Sequence, residues 1–137
     1  MGLILDTSLL VAHERRKFDL AAFLSPRGNE PAAIAAVTLS ELLHERHHAI
    51  DARIKAERGR FVEAVRRDYS VIPFGEAQAE THSRIWADLE SRGSLIGPHD
   101  LQIAATTLSL DYDLATSNER EFSRVPGLRV INPLRVG

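Results

Sequence analysis

The spacing of the apolar residues changes several times along the chain, and this alternation limits the fold more than any other feature. Short runs of consecutive apolar residues, such as residues 3–5 and 32–37, are each followed by a segment whose apolar residues recur at helical spacing. The short runs predict buried strands and the longer segments predict helices, so the chain is a series of βα units. We therefore expect a three-layer α/β/α fold around a central, mostly parallel sheet of four to five short strands.

The predicted elements follow one another without a long linker or an internal repeat, which predicts a single domain over residues 1–137. The predicted strands cover residues 3–5, 32–37, 71–74, 114–116 and 130–131. The predicted helices cover residues 7–16, 19–24, 38–48, 51–68, 76–91 and 98–110, and a helical turn covers 118–123.

The composition excludes several kinds of chemistry. The chain has no Cys, so disulfides, thiolate metal sites and Cys nucleophiles are ruled out. Its formal charge of −2 does not by itself favour nucleic-acid binding. It begins without a basic region and has no apolar stretch long enough to span a membrane. We expect a soluble cytoplasmic protein that does not associate with a membrane.

Acidic and amide side chains follow the predicted strands at the places where a parallel sheet binds ligands. Asp6 ends the first strand, Glu41 lies in the first turn of the helix after the second, and Asp100 lies in the first turn of a later helix. Asn118 and Glu121 follow the fourth strand. Converging carboxylates repel one another unless they are protonated or neutralised by a cation. An oxygen-only ligand set suits Mg²⁺ or Mn²⁺.

Each of these residues also has a structural interpretation. Asp6 is suitably placed to cap the helix that starts at Thr7 or Ser8, and residues 38–41 match the S/T-x-x-E capping box. Asp100 is well placed for the helix dipole, and residues 118–121 also match a capping pattern. Capping and metal binding do not exclude each other, and the recurrence after successive strands favours a site.

Four segments resemble the PIN-domain ribonucleases, in particular the VapC-type toxins. They are LILDTS at 3–8, TLSEL at 38–42, PHDLQIAA at 98–105 and LATSNEREF at 114–122, with VPGL and INP following. The resemblance spans the chain in the right order and implies a PIN-like fold. It also implies a Mg²⁺-dependent endoribonuclease in which metal-activated water leaves a 5′-phosphate and a 3′-hydroxyl.

The resemblance also implies residue roles. Asp6, Glu41 and Asp100 match the three core acids and would hold the metal. At the fourth position many members carry Asp where this chain has Asn118, and Asp where it has Glu121. These five residues are the predicted catalytic set, and the predicted substrate contacts are Thr7, Ser8 and His99.

The same resemblance implies an RNA substrate, a VapB-like antitoxin as partner, and a homodimer. An apolar groove would suit an antitoxin segment. Apolar residues of the helices could form such a groove or could equally be core: Phe18, Leu20, Phe23, Leu24, Leu39, Leu42 and Leu43.

Other functions are less well supported by the sequence. A non-catalytic PIN-like module that binds RNA or protein is the main alternative, and Asn118 leaves room for it. A receiver-like phosphoacceptor needs a Lys beside the acids, but neither Lys17 nor Lys55 follows a strand. His44, His47 and His48 could bind Zn²⁺ on one helix face, although a solvated surface explains them better.

Overall fold

The computed structural model describes residues 1–135, which form a central sheet of five parallel strands flanked by helices. The strand order is β3-β2-β1-β4-β5, and every neighbouring pair is parallel. This confirms the predicted fold class. The strands are β1 (Leu3–Leu5), β2 (Ala32–Ala35), β3 (Ser70–Ile72), β4 (Asp113–Ala115) and β5 (Val130–Ile131).

Seven α-helices connect and cover the strands. They are α1 (Thr7–Glu14), α2 (Leu20–Leu24), α3 (Ala36–His47), α4 (Ala52–Asp68), α5 (Glu76–Ser91), α6 (Pro98–Ser109) and α7 (Glu119–Phe122). The loop residues between the end of one helix and the next strand are few, which suits the βα interpretation of the sequence.

Alternate residues of β1 enter two different cores, because successive side chains of a strand point to opposite faces of the sheet. Ile4 packs in one core with residues of α5, α6 and α7. Leu3 and Leu5 pack in the other core with residues of α1, α2, α3 and α4. All three strand residues are fully buried, as expected for a strand at the centre of a sheet covered on both faces.

The boundary between β2 and α3 differs from the prediction. The sequence predicts a strand over 32–37 and a helix from Thr38, whereas the strand ends at Ala35 and the helix begins at Ala36. Ala36 and Val37 are apolar and continue the run, so hydrophobicity alone does not mark where the backbone turns helical. The shift places Glu41 in the second turn of α3 and not in the first.

Two apolar surfaces can be compared with the structure. The helical spacing of apolar residues in 76–91 predicts that Trp86 shares one buried stripe with Ile85 and Leu89, but Trp86 is 48% exposed, and the buried residues of α5 are Thr81, Ile85 and Leu89. Of the seven residues that could form a groove or belong to the core, Leu20 and Leu42 are buried, and the other five are partly buried and pack against that core. None of the helices in residues 1–135 has the length and apolar character that crossing a membrane requires.

Candidate active site

Asp6 follows β1 and is almost fully buried, with 4% exposure. It occupies the N-cap position of α1, but its carboxylate makes no capping hydrogen bond. Oδ2 instead accepts hydrogen bonds from Ser8 Oγ and Thr116 Oγ1, both at 2.7 Å. Burial raises the pKa of Asp6, while these hydroxyls act in the opposite direction. Asp6 is therefore the N-cap residue of α1 by position, and its carboxylate also belongs to a polar cluster at the sheet edge.

Glu41 is held by two neighbouring elements. Thr7, at the start of α1, donates its hydroxyl to Glu41 Oε1 at 2.7 Å. His99, near the start of α6, places Nδ1 3.4 Å from Glu41 Oε2. The predicted capping box is absent, because Thr38 lies inside α3 and its hydroxyl is 3.0 Å from that of Thr7. Both oxygens of Glu41 are thus oriented by residues that begin other helices.

Asp100 lies in the first turn of α6. Burial raises the pKa of Asp100 to about 7, and the negative charges of Asp6, Glu121 and Glu41 add to this effect. The neighbouring Glu121 carboxyl thus contributes to the raised pKa of Asp100. The structure therefore brings the four predicted acids within electrostatic reach of one another.

Glu121 is fixed by hydrogen bonds that stabilise its ionised form. The backbone N–H of Gly97 donates to Oε1 at 2.8 Å, and the Asn118 side-chain amide donates to Oε2 at 2.9 Å. These two contacts, the Gly97 bond first, lower the pKa of Glu121. An ideal Cβ on Gly97 would lie 3.6 Å from Asp100 Oδ2 and 3.7 Å from Glu121 Oε1, so both carboxylates flank this residue.

The side-chain amide of Asn118 donates a hydrogen bond to the Glu121 carboxylate. It occupies the N-cap position of α7 but makes no side-chain capping bond, and its amide is directed to the Glu121 carboxylate. The capping interpretation of residues 118–121 is therefore wrong. The predicted catalytic role of Asn118 remains a prediction, and its observed contact is that of a positioning residue.

Thr116 is a site residue that the sequence analysis missed. It is fully buried, donates to Asp6, and accepts the backbone N–H of Asn118 at 2.9 Å. A signal for it exists, since Leu5 pairs with Ala115 in parallel register and the next residues are Asp6 and Thr116. Parallel pairing places the residues that end β1 and β4 side by side, although a single sequence does not reveal that these strands are neighbours.

The predicted substrate contacts differ in what they offer a ligand. The hydroxyls of Thr7 and Ser8 are already engaged by Glu41 and Asp6, respectively. Ser8 Oγ also accepts the backbone N–H of Ser117 at 3.2 Å. His99 has a side chain that is 58% exposed, so its ring remains accessible beside Glu41. Of these predicted contacts, His99 has the most accessible side chain.

The carboxylate cluster suits a partly hydrated hard cation. Within residues 1–135, no group of three or more Asp, Glu or His side chains has an arrangement that could bind one metal ion directly. Mg²⁺ retains several waters and needs only one or two protein carboxylates, so the cluster does not have to provide a closed site. Oxygen donors that repel one another around Asp100 fit Mg²⁺ or Mn²⁺ by their chemistry. The His44–His48 contact likewise belongs to no such three-ligand group in the described chain.

Comparison with known proteins identifies the family. Residues 3–128 match the PIN domain. The chain is 35% identical over 136 residues to Ribonuclease VapC of Rickettsia bellii, covering 98% of this chain and 99% of that protein. It is 38% identical to Ribonuclease VapC1 of Rickettsia felis, with 96% of each chain covered. The chain belongs to the PIN-domain family, as a VapC-type member.

Solved VapBC structures from other bacteria contain the same fold as this chain. The DNA-bound VapBC structure from Salmonella typhimurium superposes with a TM-score of 0.86 at 25% identity, covering 96% of this chain and 97% of that one. VapBC2 from Rickettsia felis, bound to a promoter DNA fragment, gives 0.85 at 24% identity, with 96% and 98% covered. The PIN-like architecture therefore extends over nearly the whole chain.

Proposed function

We propose that this VapC-type chain is a Mg²⁺-dependent endoribonuclease and the toxin of a type II toxin–antitoxin pair. The observation that carries the proposal is the convergence of Asp6, Glu41 and Glu121 around Asp100, where burial first and then the neighbouring negative charges raise the pKa of Asp100 to about 7. Such a perturbed carboxyl beside other acids is typical of a functional site. Full-length relatives named as VapC ribonucleases support the reaction class.

Asp6, Asp100 and Glu41 are the residues that would hold the metal. When bound, a divalent cation neutralises charge on the scissile phosphodiester and lowers the pKa of a coordinated water. Neutralising the acids would also relieve the repulsion among them.

The remaining site residues orient these acids. Ser8 and Thr116 hold Asp6, and Thr7 and His99 hold Glu41. Glu41 is well placed to orient a water or to share in metal binding, because it is not buried as deeply as Asp6. Gly97 and Asn118 keep Glu121 ionised next to Asp100. Preorganised groups of this kind lower the reorganisation that a reaction requires.

The test is RNA cleavage by purified wild type, Asp6→Asn and Glu41→Gln, with Mg²⁺ or with EDTA, followed by mapping of 5′-phosphate ends. We expect new ends only from wild type with Mg²⁺ or Mn²⁺. Glu57→Gln is the matched control, since Glu57 is an exposed acid of α4 outside the cluster. If correctly folded wild type produces no new RNA ends, the result would support the non-catalytic RNA- or protein-binding alternative.

We infer that a VapB-like protein is the physiological partner, because similar folds are seen in VapBC complexes from other bacteria. Co-expression of the chain with the product of the adjacent reading frame should relieve toxicity and yield a co-purified complex. A homodimer is part of the same proposal, and sedimentation of the chain alone tests it. A monomer at all concentrations would remove the homodimer from the proposal without touching the nuclease reaction.

A further inference from the structure

A cavity opens directly beside Glu41. This flank pocket has a volume of about 310 Å³ and is lined by Val11, Ser40, His44, Glu45 and His99, together with Thr7 and Glu41. Its size is at the lower end of the range for small-molecule sites, which suits one flat heterocycle better than a larger ligand. The proposed Mg²⁺ site uses neither His44 nor Glu45.

Three helices supply the walls of the flank pocket. Residues 40, 41, 44 and 45 recur on one face of α3, Val11 comes from α1, and His99 comes from the first turn of α6. Flat imidazoles on two different helices, lining the same cavity as the side chain of Val11, form the kind of surface on which nucleobases stack.

The side chains that line the pocket are partly preorganised. The ring of His44 is 4.2 Å from that of His48 in an edge-on arrangement. Arg58 Nη1 donates to the backbone carbonyl of Glu45 at 2.8 Å and lies 3.7 Å from Glu45 Oε2. These contacts restrain both residues before a ligand arrives, which lowers the ordering cost of binding.

We propose that the flank pocket binds one nucleobase of single-stranded RNA next to the scissile phosphate, and that Glu45 favours guanine there. The proposal rests on the proposed nuclease function and names a specificity residue for it. A carboxylate accepts from the adjacent ring N–H and amino group of guanine. Uracil offers a single N–H between two carbonyl oxygens, which a carboxylate repels.

The experiment measures cleavage of a mixed-sequence single-stranded RNA by wild type, Glu45→Gln and Glu57→Gln, with all cut positions sequenced. Wild type should prefer guanine at one fixed position within two nucleotides of the cut, and Glu45→Gln should lose most of that preference. Glu57→Gln is matched in exposure, with side chains 55% and 56% accessible, and should keep it.

A second variant pair tests stacking separately from base selection. His44→Ala should raise KM roughly tenfold with little change in kcat, because the loss of base stacking weakens binding. His47→Ala removes a histidine of the same helix outside the flank pocket and should leave KM unchanged. Rescue of KM by His44→Phe, which restores a flat ring, would separate stacking from a structural role.

The outcomes distinguish the two proposals. Wild type that cleaves no RNA overturns the proposed function and this inference together. Wild type that cleaves RNA, with the same base preference in Glu45→Gln and the same KM in His44→Ala, overturns only the inference. If these two variants keep wild-type cleavage but bind the co-expressed partner protein less tightly, the pocket is a protein contact and the nucleobase assignment is wrong.

Discussion

At the residue scale, Thr116 joins two parts of the site through one hydroxyl group. It donates to buried Asp6 and accepts the N–H of Asn118. Thr116→Val keeps the shape but removes both hydrogen bonds, so we expect a loss of about 1–3 kcal/mol in the free energy of unfolding. The pKa of Asp6 should rise further, which moves the acid limb of the cleavage-rate profile to higher pH.

Thr107→Val is the control for this prediction. Thr107 is also fully buried, and its hydroxyl donates within α6 to the Ile103 carbonyl at 2.8 Å. It should leave the pH profile of cleavage unchanged. Chemical denaturation gives the stability of both variants, and single-turnover rates across pH give the profile. An unshifted acid limb in an active Thr116→Val would contradict the role assigned to the hydroxyl.

Asp100 makes the metal-free protein sensitive to pH. Its pKa is raised to about 7 in the folded state, whereas an unfolded Asp titrates near 4. The folded state therefore binds more protons between these values, and stability should fall as pH rises from about 4 to 7 and then level off. Asp100→Asn should flatten this slope and stabilise the protein at pH 8 by on the order of 1 kcal/mol, since solvent screens a half-buried carboxyl.

Thermal unfolding in EDTA from pH 4 to pH 8 measures this effect. A shallower slope of the same sign should remain in Asp100→Asn, because the pKa of Asp6 is also raised. Asp68→Asn, at an exposed residue paired with Arg67, should retain the full slope. If stability depends on pH equally in wild type and in Asp100→Asn, the Asp100 carboxyl does not destabilise the folded protein at high pH.

The sequence identified the acids but could not choose between capping and site chemistry for each of them. Asp6 shows why, since the residue that ends a strand is also the residue that can cap the next helix. The choice depends on Thr116, which lies 110 positions away in the chain and close by only after folding. The bonds of Gly97 and Asn118 to Glu121 are likewise tertiary, so no local pattern predicts them.

At the element scale, helix α4 contains a glycine that the fold does not require for backbone reasons. Gly59 lies inside the helix, and an added Cβ would be 3.3 Å from Arg46 Nε. Arg46 forms no ion pair in residues 1–135, and its Nε has no hydrogen-bond partner there. Because this side chain can shift, we expect the helix propensity of Ala to dominate.

Gly59→Ala should therefore raise the free energy of unfolding by up to about 1 kcal/mol. Gly127→Ala is the opposite case, because Gly127 has φ +80° and a side chain is strained there. Urea denaturation of both variants tests the pair. A destabilised Gly59→Ala would mean that Arg46 is fixed in place despite lacking a partner.

The elements themselves followed well from the sequence, and their ends did not. The alternation of period predicts all five strands, because parallel strands covered by helices on both faces are short apolar runs. The start of α3 was placed two residues too late, since Thr38 matches a helix cap and Ala36 matches a strand. Thr38 does not cap the helix, because it lies inside α3 and its hydroxyl contacts that of Thr7.

At the scale of the whole molecule, stability depends on two cores on either side of a thin sheet. Phe122 of α7 is fully buried in the core that α5 and α6 share. Phe122→Ala should cost about 3–5 kcal/mol, which is a large part of the 5–15 kcal/mol typical of a domain. Phe74→Ala, at a residue 39% exposed, should cost far less.

Equilibrium unfolding measures both variants. Phe122→Ala should also lower RNA cleavage more than its folded fraction explains, because Phe122 adjoins Glu121 on the same short helix. Cleavage proportional to the folded fraction would show that α7 keeps its position without this anchor. The architecture was predictable because it follows from hydrophobic periodicity, but Trp86 was misplaced because one helix offered more apolar residues than its buried face used.

The bond from the Gly97 N–H to Glu121 has a consequence for observing the protein at work. That amide belongs to the loop before α6, and its acceptor is a carboxylate of the charged cluster. Asp6, Asp100 and Glu41 would hold the ion, and an ion bound there that shifts the neighbouring Glu121 carboxylate would weaken this hydrogen bond. Deuterium uptake at the Gly97 amide would then report ion binding, and the measurement would need no RNA.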